Sequence, residues 1–276
     1  MYGRIIFLLV LPVLAIANSS DDEKIANGFD ASPGQLPYVA SYQYNAFHYC
    51  GCTIISQYWL LTAAHCIDEV ENITGFDIQR LTVVAGIINL YANDPQKQVN
   101  VVRKQFKHHG FNRNTLVNDI GLVVIWNGFT FGNSVSSISY LDIPTYSDTV
   151  VAGWGYLRSS YPEASPKLQY AIGKRIFNSE CQTLIYPANA VVTTYMTCIT
   201  GLYNQNETTC NGDSGGPFIQ RLWYYPYTLK QIGIISWDLK PCGLRGKPSV
   251  GTLIYPYTMW IDCIQYVQNS AQCTSV

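Results

Sequence analysis

The 276-residue chain is predicted to be all-β, a barrel or sandwich closed by one C-terminal helix. Three observations carry this. Short β-branched and aromatic runs recur from residue 36 to 255, separated by Gly, Pro, Asn, Asp and Ser. Long helical periodicity is absent until residues 258–269. Hydrophobic residues make up 48% and charged residues 13%, a composition that supports a packed core and excludes disorder or a coiled coil.

In chain order, the strand candidates are CTIIS (52–56), WLLTAA (59–64), RLTVVAG (80–86), QVNVV (98–102) and IGLVVI (120–125). TVVAGWG (149–155), LQYAIG (168–173), QIGIISW (231–237) and SVGTLIY (249–255) follow. Runs that stay apolar, such as IGLVVI, suit strands buried on both faces. The polar, Tyr- and Asn-rich stretch 127–148 marks a boundary between two β units. Near the end Trp260, Ile264 and Val267 follow i, i+4, i+7, the stripe of an amphipathic helix. There is no internal repeat and no low-complexity tract.

The first residues read as a targeting segment. Arg4 precedes the apolar run Ile5–Ile16, and Ala15-Ile16-Ala17 fits a small-x-small cleavage rule. That run has 12 residues, against about 20 for a membrane span, so residues 1–17 are expected to be a signal peptide of a secreted, extracellular protein. Nine cysteines (Cys50, Cys52, Cys66, Cys181, Cys198, Cys210, Cys242, Cys263 and Cys273) fit that compartment as disulfides. None has the paired C-x-x-C spacing of a structural zinc site, and the odd count leaves at least one thiol unpaired within the chain. Asn18, Asn72 and Asn206 head glycosylation sequons. A net charge of −1 gives no footprint for nucleic acid or a membrane surface.

After Ala17 the acidic cluster Asp21, Asp22, Glu23 ends in Lys24, before the apolar Ile25. A Lys-specific protease acting there would release residues 18–24 as a propeptide and leave Ile25 as a new terminus. The remainder, 25–276, keeps 15 basic and 15 acidic side chains and is formally neutral.

The chemistry centres on CNGDSGGPF, where Ser214 sits in a glycine turn that also fits G-x-S-x-G. A nucleophilic serine needs a base and a third group to fix the base's tautomer. The four histidines, His48, His65, His108 and His109, all precede Ser214, so the α/β-hydrolase order Ser, acid, His is excluded. The workable order is His65 in LTAAHC, Asp119 in NDIGLVVI, then Ser214.

With YWLLTAAHC, NDIGLVVI, VAGWG, CNGDSGGPF, ISW and KPSVGT in place, residues 25 to about 270 resemble the trypsin/chymotrypsin family of serine endopeptidases. The resemblance implies two packed six-stranded antiparallel β-barrels with the active site between them, and a C-terminal helix. It implies Ser214 as nucleophile, His65 as general base and then acid, Asp119 orienting His65, and the Gly212 and Ser214 N–H groups as oxyanion hole. It implies a zymogen in which cleavage after Lys24 lets the Ile25 amine pair with Asp213; IANG at the new terminus departs from the family's usual Ile-Val-Gly-Gly. It also implies the disulfides Cys50–Cys66, Cys181–Cys198 and Cys210–Cys242. Cys263 and Cys273 would pair if the tail folds back, and a Cys52 link to either stays open.

For the substrate pocket the resemblance designates Thr208 at the base, with Thr209, Asn211, Ser236, Trp237, Asp238, Ser249 and Gly251 around it. Thr208 stands where trypsin-like members carry Asp, so the floor is polar and uncharged, closer to chymotrypsin or elastase. An apolar or aromatic P1 residue is ranked first, a small aliphatic one second, and a basic one, recruited by Asp238, third. A non-tryptic pocket implies activation in trans by a trypsin-like protease. The expected partners are protein and peptide substrates and proteinaceous inhibitors, with the enzyme a monomer. No cofactor or metal is expected: where relatives bind calcium, the residues are Ile87, Asp94 and Lys97, a poor set for a hard cation. The alternative class is a non-catalytic homologue that serves as a binding protein.

Overall fold

The computed structural model describes residues 28–73, 76–140, 148–158, 161–201, 208–222 and 228–274. After the short strand β1 (Phe29–Asp30), the first barrel is made of β2 (Val39–Tyr44), β3 (Phe47–Ile54), β4 (Trp59–Thr62), β5 (Leu81–Ala85), β6 (Gln98–Lys107) and β7 (Gly121–Ile125). It closes antiparallel in the order β2-β3-β4-β7-β6-β5. Every residue of β4 and β7 is buried, as their unbroken apolar runs require.

The second barrel uses β8 (Asp148–Gly153), β11 (Gln169–Ile176), β12 (Met196–Gly201), β13 (Pro217–Leu222), β14 (Thr228–Asp238) and β15 (Ser249–Leu253). Its order is β11-β12-β15-β14-β13-β8, the β11–β8 pairing completes the ring, and β1 adds to the edge of β11. A hairpin of β9 (Tyr156–Arg158) and β10 (Tyr161–Ala164) lies outside it. The polar boundary stretch precedes β8, with 141–147 outside the described residues.

Among the described residues three α-helices accompany the barrels: α1 (Ala64–Glu71), α2 (Asn178–Ile185) and α3 (Thr258–Val267). α3 matches the expected C-terminal helix, burying Trp260, Ile261 and Ile264 and ending at Gln268 in the left-handed region. The eight-residue α1 and α2 come before it; each is too short to repeat a stripe, in keeping with the absence of long helical periodicity there. α1 buries Ile67 and Val70 in the first-barrel core.

The barrels touch backbone to backbone. A Cβ on Gly51 of β3 would come within 2.9 Å of the Gly216 backbone, and Gly51 N donates to the Ser214 carbonyl at 2.8 Å. Only glycine permits that approach. Disulfides join Cys50–Cys66, Cys181–Cys198, Cys210–Cys242 and Cys263–Cys273. Cys52 is a buried free thiol donating to Ala40 O, which removes it from the pairings left open.

Candidate active site

His65 enters the site because β4 hands the chain directly into α1, and Cys50–Cys66 ties that first turn back to β3. Asp119 lies fully buried just before β7, after Asn118, whose φ of 58° turns the chain into the strand. His65 Nδ1 lies 2.7 Å from Asp119 Oδ2, and the His65 backbone N–H donates to Oδ1 at 2.8 Å. The Ser236 hydroxyl donates to Oδ2 as well. A β-bulge between Ile235 and Trp237 re-aims Ser236 toward the other barrel. Ser236, expected in the substrate pocket, therefore also braces this carboxylate.

A carboxylate accepting from Nδ1–H leaves Nε2 with its lone pair toward the cleft. Burial pulls the His65 pKa down, but the Asp119 charge and hydrogen bond, with Glu69 and Asp68 behind them, carry it above 6.5. Ser214 and His65 line one cleft of about 330 Å³. Among the described residues the Ser214 hydroxyl makes no hydrogen bond, an open arrangement common before substrate closes such a contact.

The turn before Ser214 is held by its carbonyls. Tyr156 N donates to Asn211 O at 2.7 Å, and Gly216 N to Asp213 O at 3.0 Å. In a trans peptide the N–H points opposite its carbonyl. The N–H groups of Gly212 and Ser214, on the far ends of those two peptides, therefore point away from Tyr156 and Gly216, and neither finds an acceptor among the described residues. Gly212 has φ +91°. Its carbonyl meets His48 Nε2 at 3.0 Å, while His48 Nδ1 meets Ser41 Oγ at 2.8 Å. Burial lowers the His48 pKa to about 4, so the ring is neutral. The sequence assigned no role to His48, since only its neighbours in space reveal one.

Asp213 points away from the cleft. Its oxygens accept from Gly155 N at 2.8 Å and Cys210 N at 2.9 Å. A Cβ on Gly153 or Gly155 would collide with the Asp213 carboxylate, so the glycines of VAGWG let the chain pack against it. Burial raises the Asp213 pKa to about 7, despite those two N–H donors. Among the described residues no cation pairs with it; Lys24 and Ile25 lie outside them.

Of the eight expected pocket residues, Thr209, Asn211, Ser236, Trp237 and Asp238 line the cleft, and Thr208, Ser249 and Gly251 lie behind it. Ser249 Oγ sits 2.9 Å from Thr209 N and 3.0 Å from Thr209 Oγ1, while Thr208 Oγ1 accepts from Gly243 N at 2.8 Å. Asp238 is paired with Lys240 at 2.7 Å. Cys50, His65 and Cys66 bring ligand-type atoms within 4.8 Å, but both sulfurs are spent in one disulfide. That group offers no thiolate to a metal.

The trypsin family model matches residues 25–261. "Trypsin I-P38" of Gallus gallus is 31% identical over 268 residues, covering 92% of this chain and 96% of its own. "Serine protease 1" of Homo sapiens is 29% identical, with the same coverage of 92% and 96%. The solved structure of neuropsin, a serine protease expressed in the limbic system of mouse brain, aligns with a TM-score of 0.72 at 27% identity, over 86% of this chain and 98% of that one. The chain belongs to the trypsin family. It is a serine endopeptidase, and its substrates are proteins.

Proposed function

We propose that the chain is a secreted zymogen, with residues 1–17 a signal peptide and 18–24 a propeptide, whose mature form cuts after neutral P1 residues. The observation that carries the catalytic part is the relay Ser236–Asp119–His65, which opens on the cleft that Ser214 lines. In this reading Ser214 Oγ attacks the scissile carbonyl carbon while its proton passes to His65 Nε2. The imidazolium is stabilised by Asp119, and the carbonyl oxygen, now an anion, takes the N–H groups of Gly212 and Ser214. His65 returns the proton to the departing amine, leaving an acyl-enzyme. Water then enters by the same route in reverse and releases the acid.

The pocket supports a small neutral P1 residue ahead of an aromatic one, reversing the order drawn from sequence. What supports it is that Thr209 and Asp238 line the cleft whereas Thr208 and Ser249 do not, their oxygens being engaged with protein groups. Such a pocket would not accept Lys24 as P1, so the activator is a separate trypsin-like protease. Cleavage frees the Ile25 amine to pair with Asp213, whose buried carboxylate otherwise lacks a cation among the described residues. Exposed Asn72 at the end of α1 is a glycan acceptor in this reading; Asn18 and Asn206 lie outside the described residues. The mature enzyme is a monomer and a target for proteinaceous inhibitors.

The test is cleavage of the purified chain at Lys24, followed by organophosphonate labelling and profiling on a mixed peptide library. Labelling at Ser214 with cleavage after small neutral residues is expected, and Ser214→Ala should abolish both. Absence of labelling after complete cleavage would instead favour the non-catalytic binding protein.

A further inference from the structure

One ion pair inside the cleft has no part in the chemistry above. Asp238 ends β14 opposite Ser249 of β15, and its side chain is only 6% exposed. Its Oδ1 lies 2.7 Å from Lys240 Nζ, whose side chain is 47% exposed. Both residues line the cleft with His65 and Ser214. A carboxylate so deeply placed is costly unless a cation faces it. Here the cation comes from the same chain, two residues on, with its stem reaching in from solvent. Its ammonium is paired with the carboxylate that a basic P1 side chain would otherwise seek.

The polar groups nearest Asp238 are themselves engaged with protein partners. The Thr209 hydroxyl is shared between Ser249 and the Asp238 carboxylate. The Thr208 hydroxyl oxygen accepts from Gly243 N. Glu69, the other carboxylate of the cleft, stands on α1 and accepts from the Tyr49 hydroxyl.

We infer that Lys240 is a specificity-determining residue, an internal cation that masks Asp238 and so excludes Lys and Arg from P1. The inference rests on the reading of this cleft as the substrate site of Ser214 and deepens it. The pocket holds an acid but is neutral because Lys240 occupies it. A basic P1 side chain would set two cations against one carboxylate, whereas a neutral one leaves the pair undisturbed. Removing the Lys240 charge unmasks Asp238 as an acceptor for a guanidinium.

The experiment uses the full chain cut by a Lys-specific endopeptidase, as wild type, Lys240→Met, Lys240→Gln and Lys240→Met with Asp238→Asn. The substrates are peptide pairs identical except for Ala or Arg at P1, since the activating enzyme leaves Arg bonds intact. Organophosphonate titration counts competent sites, so a folding defect is not read as altered specificity. The Arg-to-Ala ratio of kcat/KM should rise about 100-fold in Lys240→Met and return to the wild-type ratio in the double variant. A titratable Lys240→Met whose ratio stays within about threefold of wild type overturns the inference. So does a wild type that cuts after Arg as readily as after Ala. If Lys240→Met does not titrate, Lys240→Gln decides, with a rise of about 10-fold expected and a flat ratio overturning the inference. If the wild type itself does not titrate, the reading of Ser214 fails, and the inference with it.

Discussion

Cutting the chain after Lys24 should change how its stability depends on pH, because Asp213 is buried with its pKa raised from 3.8 to about 7. Between those values the folded, uncut chain holds a proton on Asp213 that the unfolded chain has lost. Stability of the uncut form therefore falls as pH rises, by about 1.4 kcal/mol per unit. From pH 5 to the folded pKa near 7 that amounts to about 2.7 kcal/mol, and above it the loss levels off. In the cut form the Ile25 amine, with an ordinary pKa near 8, faces the carboxylate, so Asp213 ionises without that loss. The stability difference between cut and uncut chains should accordingly widen by about 2.7 kcal/mol between pH 5 and pH 8. For a chain of this size that is a change of about 5–10 °C in the Tm difference. The measurement is calorimetry of both forms at the two pH values, on Ser214→Ala to prevent self-digestion. A Tm difference constant with pH would refute the pairing, as would an uncut chain whose Asp213 titrates like a solvated carboxylate.

Asp119→Asn should lower kcat about 10³–10⁴-fold with little change in KM, since it removes the group that fixes the His65 tautomer; steady-state kinetics checks it. The pH–rate profile should rise through a midpoint above 6.5, because the raised His65 pKa keeps the base protonated to higher pH. A midpoint below 6.5 would mean that burial outweighs Asp119. Gly155→Ala should destabilise the chain by about 2–4 kcal/mol in denaturant melts, as its Cβ would lie 2.4 Å from the Asp213 carboxylate. His48→Phe keeps the ring but drops the bond to the Gly212 carbonyl, and should reduce kcat about 10-fold while leaving KM nearly unchanged.

The strands were legible where apolar runs are long. IGLVVI and WLLTAA became β7 and β4, buried throughout. α1 was not, because eight residues beginning at the end of an apolar strand run carry no period that separates helix from strand. The order His65, Asp119, Ser214 was legible from residue type and position, and the structure brings the first two into contact. Their supports were not legible. Ser236 reaches Asp119 only through a bulge in β14, and a bulge leaves no mark in local composition. Asp238 looked like a free recruit for a basic substrate, because nothing in DLK says that the lysine folds back onto it. The lining was equally hidden: Thr208 has the expected chemistry, but it is Thr209, not Thr208, that lines the cleft.

The turn from 208 to 218 shows why the supports escape a residue-by-residue reading. Its two proposed oxyanion donors are backbone groups, and their direction is set by what the opposite ends of their peptides touch. Asn211 O is taken by Tyr156, Asp213 O by Gly216, Gly212 O by His48, and Ser214 O by Gly51. Those partners come from the hairpin beyond β8, from the turn itself and, through His48 and Gly51, from β3 of the other barrel. In the proposed oxyanion hole the two donor peptides are thus held by Tyr156 and Gly216, while the peptide that follows each is held from β3 of the other barrel, by His48 and Gly51. A substitution that shifts β3 against the turn, such as Gly51→Ala with its 2.9 Å clash at Gly216, should therefore act on kcat through donor direction even where all three reacting side chains remain in place.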